Sequence, residues 1–172
     1  KGAPYMPVAD VAWVEKVITL TIQSIDKEKI SIGVPTYGRE YEVTVEPDWF
    51  KTYDQQWAVN PSYALKTAKK YKAVVSRNSA GEVSFTYVPK SSKAKALSSY
   101  KVPKDTPEGN IVSAKALAYA NDTGKPFTFN VVWWSDAEAI KQKVELAKRL
   151  GVQGIAIFKI DGGEDKKIWE LF

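Results

Sequence analysis

Apolar positions along the chain fall into two kinds of period. Val11, Val14, Ile18, Ile22 and Ile25 recur at three- and four-residue spacing, which predicts a helix over Val8–Ile25 with Asp10 as N-cap. A polar turn, Lys27-Glu28-Lys29, separates it from Ile30–Tyr37, a β-branched run with a glycine that reads as a buried strand. The same order returns at the other end of the chain. Ala137, Ile140, Val144, Ala147 and Leu150 form one apolar stripe after Asp136, and Gly151 is a natural stop. Gln153–Ile160 then reads as a nearly continuous apolar strand of the kind covered on both faces in parallel sheets. Asp161-Gly162-Gly163-Glu164-Asp165 turns the chain, and Lys166–Phe172 predicts a closing helix.

Between these two helix–strand units the grammar changes. Pro47–Asn60 has no clean period and reads as loop. Pro61 opens a helix over Ser62–Tyr71 with Ala64, Leu65, Ala68 and Tyr71 on its apolar face. Ala73–Arg77 and Glu82–Val88 are short alternating strands around a turn at Asn78–Gly81. Lys90–Lys104 is basic, Ser-rich and poor in apolar residues, and reads as solvated loop. Ile111–Asn121 predicts a short helix ending near Gly124, and Phe127–Trp134 a strand rich in aromatic and β-branched residues. The expected fold is α/β plus α+β: a parallel β/α scaffold carrying an α+β insertion between consecutive strands. The expected division is 1–45 and 128–172 for the scaffold and 46–127 for the insertion, with an extra segment at about 90–126.

Composition narrows the chemistry. The chain has 172 residues with no Cys and no His, which excludes disulfides and thiolates and removes the commonest general base and transition-metal ligand. No cofactor and no metal site is expected. Net charge is +5, a modest excess that a solvated surface accounts for. Lys90, Lys93, Lys95, Lys101 and Lys104 near Tyr100 raise nucleic-acid binding, but no nucleic-acid motif accompanies them and no such partner is expected. No apolar run approaches the ~20 residues that cross a bilayer, so no membrane partner is expected. No signal peptide is visible, and the start at Lys1 fits a mature, clipped or engineered piece of something longer. Six Trp and nine Tyr serve either as core or as stacking surface for rings.

Four segments carry a family resemblance. KISIGVPTYGREYEV (29–43) resembles the seventh-strand signature of family-18, chitinase-like glycoside hydrolases, in which Gly-x-Pro-x-Tyr-Gly-Arg ends a barrel strand and leads into an insertion domain. YMPVADVAWVEKVI (5–18) resembles the helix after the sixth strand, and residues 131–165 resemble the end of the barrel. Residues 60–88 are similar to the small insertion domain of the bacterial branch that includes spore-cortex and cell-wall glucosaminidases. The resemblance implies the C-terminal part of a (β/α)8 TIM barrel with its chitinase-type insertion domain. It implies a substrate of β-1,4-linked N-acetylglucosamine polymers, chitin or peptidoglycan, and a secreted or cell-envelope location. Such enzymes are the substrate-assisted exception among glycosidases, with one Glu as the acid.

The acid motif Asp-x-x-Asp-x-Asp-x-Glu occurs nowhere in these residues, so no catalytic residue is assigned and the chain alone is expected to be inactive. A complete barrel takes ~250 residues, so the expected partner is a missing N-terminal barrel half, or a second copy of the chain. A non-catalytic carbohydrate-binding or scaffold module derived from the same fold is the alternative. The resemblance carries over sugar-binding positions. Tyr37 and Arg39 match cleft-lining positions; otherwise Tyr37 packs under the insertion domain and Arg39 pairs with Glu40 or Glu42. Phe158 stands where the family usually has a Trp that stacks on the sugar, and is either that floor or plain core. Trp133 and Trp134 face opposite ways on a strand, one as core and the other extending the cleft. Asp161 accepts sugar hydroxyls or serves the turn, as does Glu164. Trp49, Tyr53 and Trp57 are placed for a cleft wall.

Overall fold

The computed structural model describes residues 3–172, with Ser92 described by its backbone alone. Lys1 and Gly2, included in the first expected domain, lie outside the described residues.

The two terminal units form one small parallel sheet. Helix α1 (Val11–Thr21) leads into strand β1 (Ser31–Pro35), and helix α5 (Ala137–Leu150) leads into β7 (Gly154–Phe158). β1 and β7 pair in parallel from Ser31↔Gly154 to Pro35↔Phe158. They are neighbouring parallel strands, 123 residues apart in sequence at that first pair, so the antiparallel segment is an insertion between them. Asp10 caps α1 through Trp13 N–H at 2.8 Å, and Asp136 caps α5 through Ala139 N–H at 3.0 Å. Gly151 ends α5 in the left-handed conformation. Ile30, Ile32 and Val34 bury against Val14 and Ile18 of α1 and Ile140, Val144 and Ala147 of α5, with Ile155 and Ile157 joining from β7. The opposite face, Ser31, Gly33, Ala156 and Phe158, is exposed. The closing segment is a 3-10 helix, Lys166–Leu171, anchored by Ile168.

The insertion is a five-stranded antiparallel sheet of β2 (Gly38–Glu46), β3 (Trp49–Val59), β4 (Ser76–Arg77), β5 (Val83–Tyr87) and β6 (Phe127–Trp134), in the order β3-β2-β6-β5-β4. Helix α2 (Pro61–Tyr71) covers one face, where Ala64 and Ala68 meet Phe85, Val132 and Trp134. Helix α4 (Ile111–Thr123) covers the other, where Ala116 and Ala120 meet Tyr41, Val43, Val131 and Trp133. A short helix, α3 (Ser91–Ala96), leads to Leu97 beside α4's core.

Three expectations are corrected. Residues 47–60, read as loop, contain the eleven-residue edge strand β3. An edge strand solvated along most of its length shows no burial period, and its pairing with β2 carries a register shift between Glu40 and Tyr41 that breaks alternation further. Lys90–Lys104, also read as loop, contains α3, whose Lys-rich composition hides a short helix with little buried surface. Residues 38–45 and 128–134, expected with the scaffold units, are strands of the antiparallel sheet.

Candidate functional site

The Tyr-Gly-Arg stretch sits where the two sheets meet. β1 ends at Pro35, and Thr36 continues the contact with β7: its N–H donates to Phe158 O at 2.9 Å and its hydroxyl donates to Lys159 O. Gly38 then opens β2 in close contact with β6. A Cβ on Gly38 would lie 2.2 Å from Trp133 O and 2.4 Å from Trp134 Cβ, so only glycine lets the chain pass between sheets here.

Four of the six candidate side chains line one cleft of about 300 Å³: Tyr37, Arg39, Phe158 and Asp161, joined by Gln55, Ala58, Asn60 and Lys159. That volume is at the lower end of the ~300–1,000 Å³ usual for small-molecule sites. The cleft lies at the C-terminal ends of β1 and β7, the end where parallel barrels hold their sites. Phe158 is 65% exposed and meets Tyr37 edge to face, ring centroids 6.3 Å apart at 86°. Its ring therefore belongs to the open face and not to the core.

Arg39 comes from the α4-covered face of β2, whereas Glu40 and Glu42 point to the opposite face. Among the described residues Arg39 makes no ion pair. The Tyr41 phenol, and after it Tyr37, hold the guanidinium above its ordinary range against the opposing effect of burial. Glu40 instead enters a buried network, accepting from Asn130 Nδ2 at 2.8 Å, from the Tyr63 hydroxyl at 3.4 Å and from the Tyr87 hydroxyl. Burial, then the bond to Glu40, raises the Tyr87 phenol far above its ordinary pKa.

Asp161 pairs with Lys159 at 2.6 Å and accepts the Gly163 N–H at 3.3 Å. Lys159, then that N–H, lowers its pKa. Asp161 is thus an acceptor at neutral pH and unsuited to donate a proton. Glu164 accepts the Gly162 N–H at 2.8 Å and serves the turn. The cleft offers a ring face, a phenol, a guanidinium, an ammonium, a carboxylate and two amides; it can stack and hydrogen-bond a polar ring.

Trp133 and Trp134 do face opposite ways, and both are 2% exposed. Trp133 lies under α4 and Trp134 under α2. Alternation reveals that two neighbours diverge; it does not reveal that both sheet faces are covered, and here neither indole reaches the cleft. Trp57 and Trp49 are exposed on β3 but are not among the cleft-lining residues, and Tyr53 packs against α4's core. Gln55, Asn60 and Lys159 escaped the sequence reading. Their only signal is the stop at Asn60-Pro61 and the position after Phe158.

An adjacent pair of parallel strands bearing a cleft at its C-terminal end, with an antiparallel α+β domain inserted between, defines the fold of the C-terminal part of chitinase-like glycosidases. The chain is similar over 99% of its length to the spore cortex-lytic enzyme SleL of Bacillus cereus (21% identical, TM-score 0.64) and to a chitinase of Chromobacterium violaceum (17% identical, TM-score 0.61), covering 31% and 40% of those chains. It is 20% identical over 163 residues to an uncharacterised glycosylase, YvbX, of Bacillus subtilis, covering 35% of that protein. The chain thus spans about a third of the length of these relatives. No family model matches it.

Proposed function

We propose that this chain is the C-terminal portion of a chitinase-like glycoside hydrolase that acts on N-acetylglucosamine-containing polysaccharide, chitin or peptidoglycan, outside the cell or in its envelope. Its part is to bind and orient sugar, with the proton donor supplied by barrel strands outside these residues. The observation that carries this reading is the convergence of Tyr37, Arg39, Phe158 and Asp161 on one cleft beside two strands whose outer edges pair with no strand among the described residues. Phe158 supplies an apolar face for a pyranose, Tyr37 and Arg39 donate to hydroxyl and acetamido oxygens, and Asp161 accepts from hydroxyls. The open face and edges of the β1–β7 sheet call for the remaining β/α units of a barrel, or for a second copy of the chain, to cover them.

The test is calorimetric titration of the chain with N-acetylglucosamine oligomers. Tyr37→Ala and Phe158→Ala are each expected to weaken binding about tenfold, the loss of one stacking or hydrogen-bonding anchor. Unchanged affinity in both removes the cleft from the reading. A fluorogenic chitobioside is expected to stay intact with the chain alone and to be cleaved when the complementary barrel half is added. Turnover by the chain alone would refute the placement of the acid elsewhere.

A second reading, a carbohydrate-binding module without catalysis, is favoured by Phe158 itself, which presents a smaller stacking surface than tryptophan. It predicts oligomer binding by the chain with no turnover on complementation.

A further inference from the structure

The two sheets meet along one end of the antiparallel sheet. In register order that end runs through Val59 of β3, Gly38 of β2, Trp134 of β6 and Val83 of β5. The cleft opens at the β3–β2 side. At the β5 side stands a carboxylate, Glu82, which is 0% exposed. Its Oε2 accepts the Val8 N–H at 2.9 Å, and its Oε1 accepts the Ala9 N–H at 2.8 Å and the Ser135 hydroxyl at 3.1 Å. Val8 and Ala9 immediately precede the cap of α1, and Ser135 immediately precedes the cap of α5. One side chain of the insertion is therefore clasped by the N-terminal approaches of both helices that cover the parallel strands.

The turn that carries Glu82 is built to hold it there. Asn78 Oδ1 accepts the N–H groups of Ala80 at 3.0 Å and Glu82 at 3.2 Å. Gly81 has φ +79°, and a Cβ on it would lie 2.2 Å from Gln142 Oε1 of α5. Arg77 donates to Asp136 at 2.7 and 3.1 Å and to Gly81 O at 2.8 Å. Lys143, 1% exposed on α5, stands in the field of Glu82, Asp10 and Asp136, and its Nζ donates to Ala139 O at 3.3 Å. A buried carboxyl group whose oxygens are all bonded is costly to displace and tolerates little change of geometry. Seams between domains in one chain otherwise permit relative motion.

We infer that Glu82 is a positioning residue: its bonds to Val8, Ala9 and Ser135 fix the tilt of the antiparallel sheet on the parallel strands and so set the width of the cleft between Arg39 and Phe158. The consequence for sugar affinity rests on the proposed function; the mechanical role does not. The chain has no Cys, so Lys51→Cys on β3 and Lys148→Cys on α5 take spin labels cleanly, one on each side of the seam. Pulsed dipolar spectroscopy on the doubly labelled chain is expected to give one narrow distance distribution. Glu82→Gln, which turns an amide NH2 toward backbone donors, is expected to broaden it about twofold and to weaken N-acetylglucosamine tetramer binding about tenfold, as a displaced wall would. Ser135→Ala, which removes one donor and keeps the fold, is expected to broaden it less. Distributions unchanged in Ser135→Ala and in folded Glu82→Gln, with only the melting temperature lowered, would overturn the proposal. Broadening in a chain whose parent binds no oligomer supports the clasp and sinks the sugar reading instead.

Discussion

The antiparallel sheet and the parallel pair are built from similar residues and reach opposite states of completion. Five strands with a helix layer on each face leave Val43, Val45, Val131 and Val132 at 0% exposure. Two parallel strands with helices on one face leave Phe158 and Ile160 in the open. Hydrophobic burial scales with the area removed from water, at about 25 cal/mol per Å². The antiparallel sheet therefore has both faces covered, while the parallel pair has one face open. The cleft lies at the boundary, taking its wall from the finished part and its floor from the unfinished part. A site so placed depends on whatever completes the second sheet.

Two phenylalanines give the sharpest test of that contrast. Phe129, 1% exposed in the antiparallel core, is expected to cost about 3–5 kcal/mol on substitution by Ala. Phe158→Ala is expected to stay within about 0.5 kcal/mol on the open face. Urea unfolding of both variants measures the difference, and equal losses would mean that β7 is covered in solution. Two glycines repeat the comparison at slightly smaller scale. Gly38→Ala drives a Cβ into the backbone of β6 and is expected to cost about 3 kcal/mol. Gly33→Ala meets nothing within 4 Å and is expected to lie within about 0.5 kcal/mol of the parent. A large loss at Gly33 would break the picture of an open inner face.

Hydrogen exchange should divide the molecule along the same line. Amides of β2 and β6 are expected to exchange only through global unfolding, and those on the outer edges of β1 and β7 through smaller openings. Uniform protection would contradict it. The smallest effect concerns the segment that bridges the two regions. Tyr5 lies edge-on to Trp133, centroids 5.6 Å apart, and donates to Asp10, the cap of α1. That bond, then burial and the negative charges of Asp10 and Glu82, pushes its phenol from 10.0 up to about 12. Because the folded value is raised, Tyr5's contribution is whole below pH 10 and fades as pH climbs through about 12. Tyr5 is 49% exposed, so the change in stability is small; a phenolate absorbance titration that loses a step near pH 12 in Tyr5→Phe checks it.

The elements most legible in the sequence are those whose signals are local. The α5 stripe, the caps at Asp10 and Asp136, the stops at Gly124 and Gly151 and the extent of β6 from Phe127 to Trp134 all follow from periods and end chemistry within one element. The Tyr-Gly-Arg rim was legible as a motif, and the clash around Gly38 explains why its glycine is required. Strand β3 was not, because a solvated edge strand has no face to bury and hence no period to show.

The sequence by itself determined which segments become helix or strand where burial imposes a repeat, that β1 and β7 are strands of a parallel scaffold, and that any chemistry proceeds without thiol or imidazole. Only the tertiary structure decided that Trp133 and Trp134 are both core, that Glu40 is buried against Asn130, Tyr63 and Tyr87, that Gln55 and Asn60 reach the cleft, and that Glu82 ties the two sheets together. The reason is physical: period tells which side of an element a residue faces, while burial and partnership depend on what distant parts of the chain bring to that side.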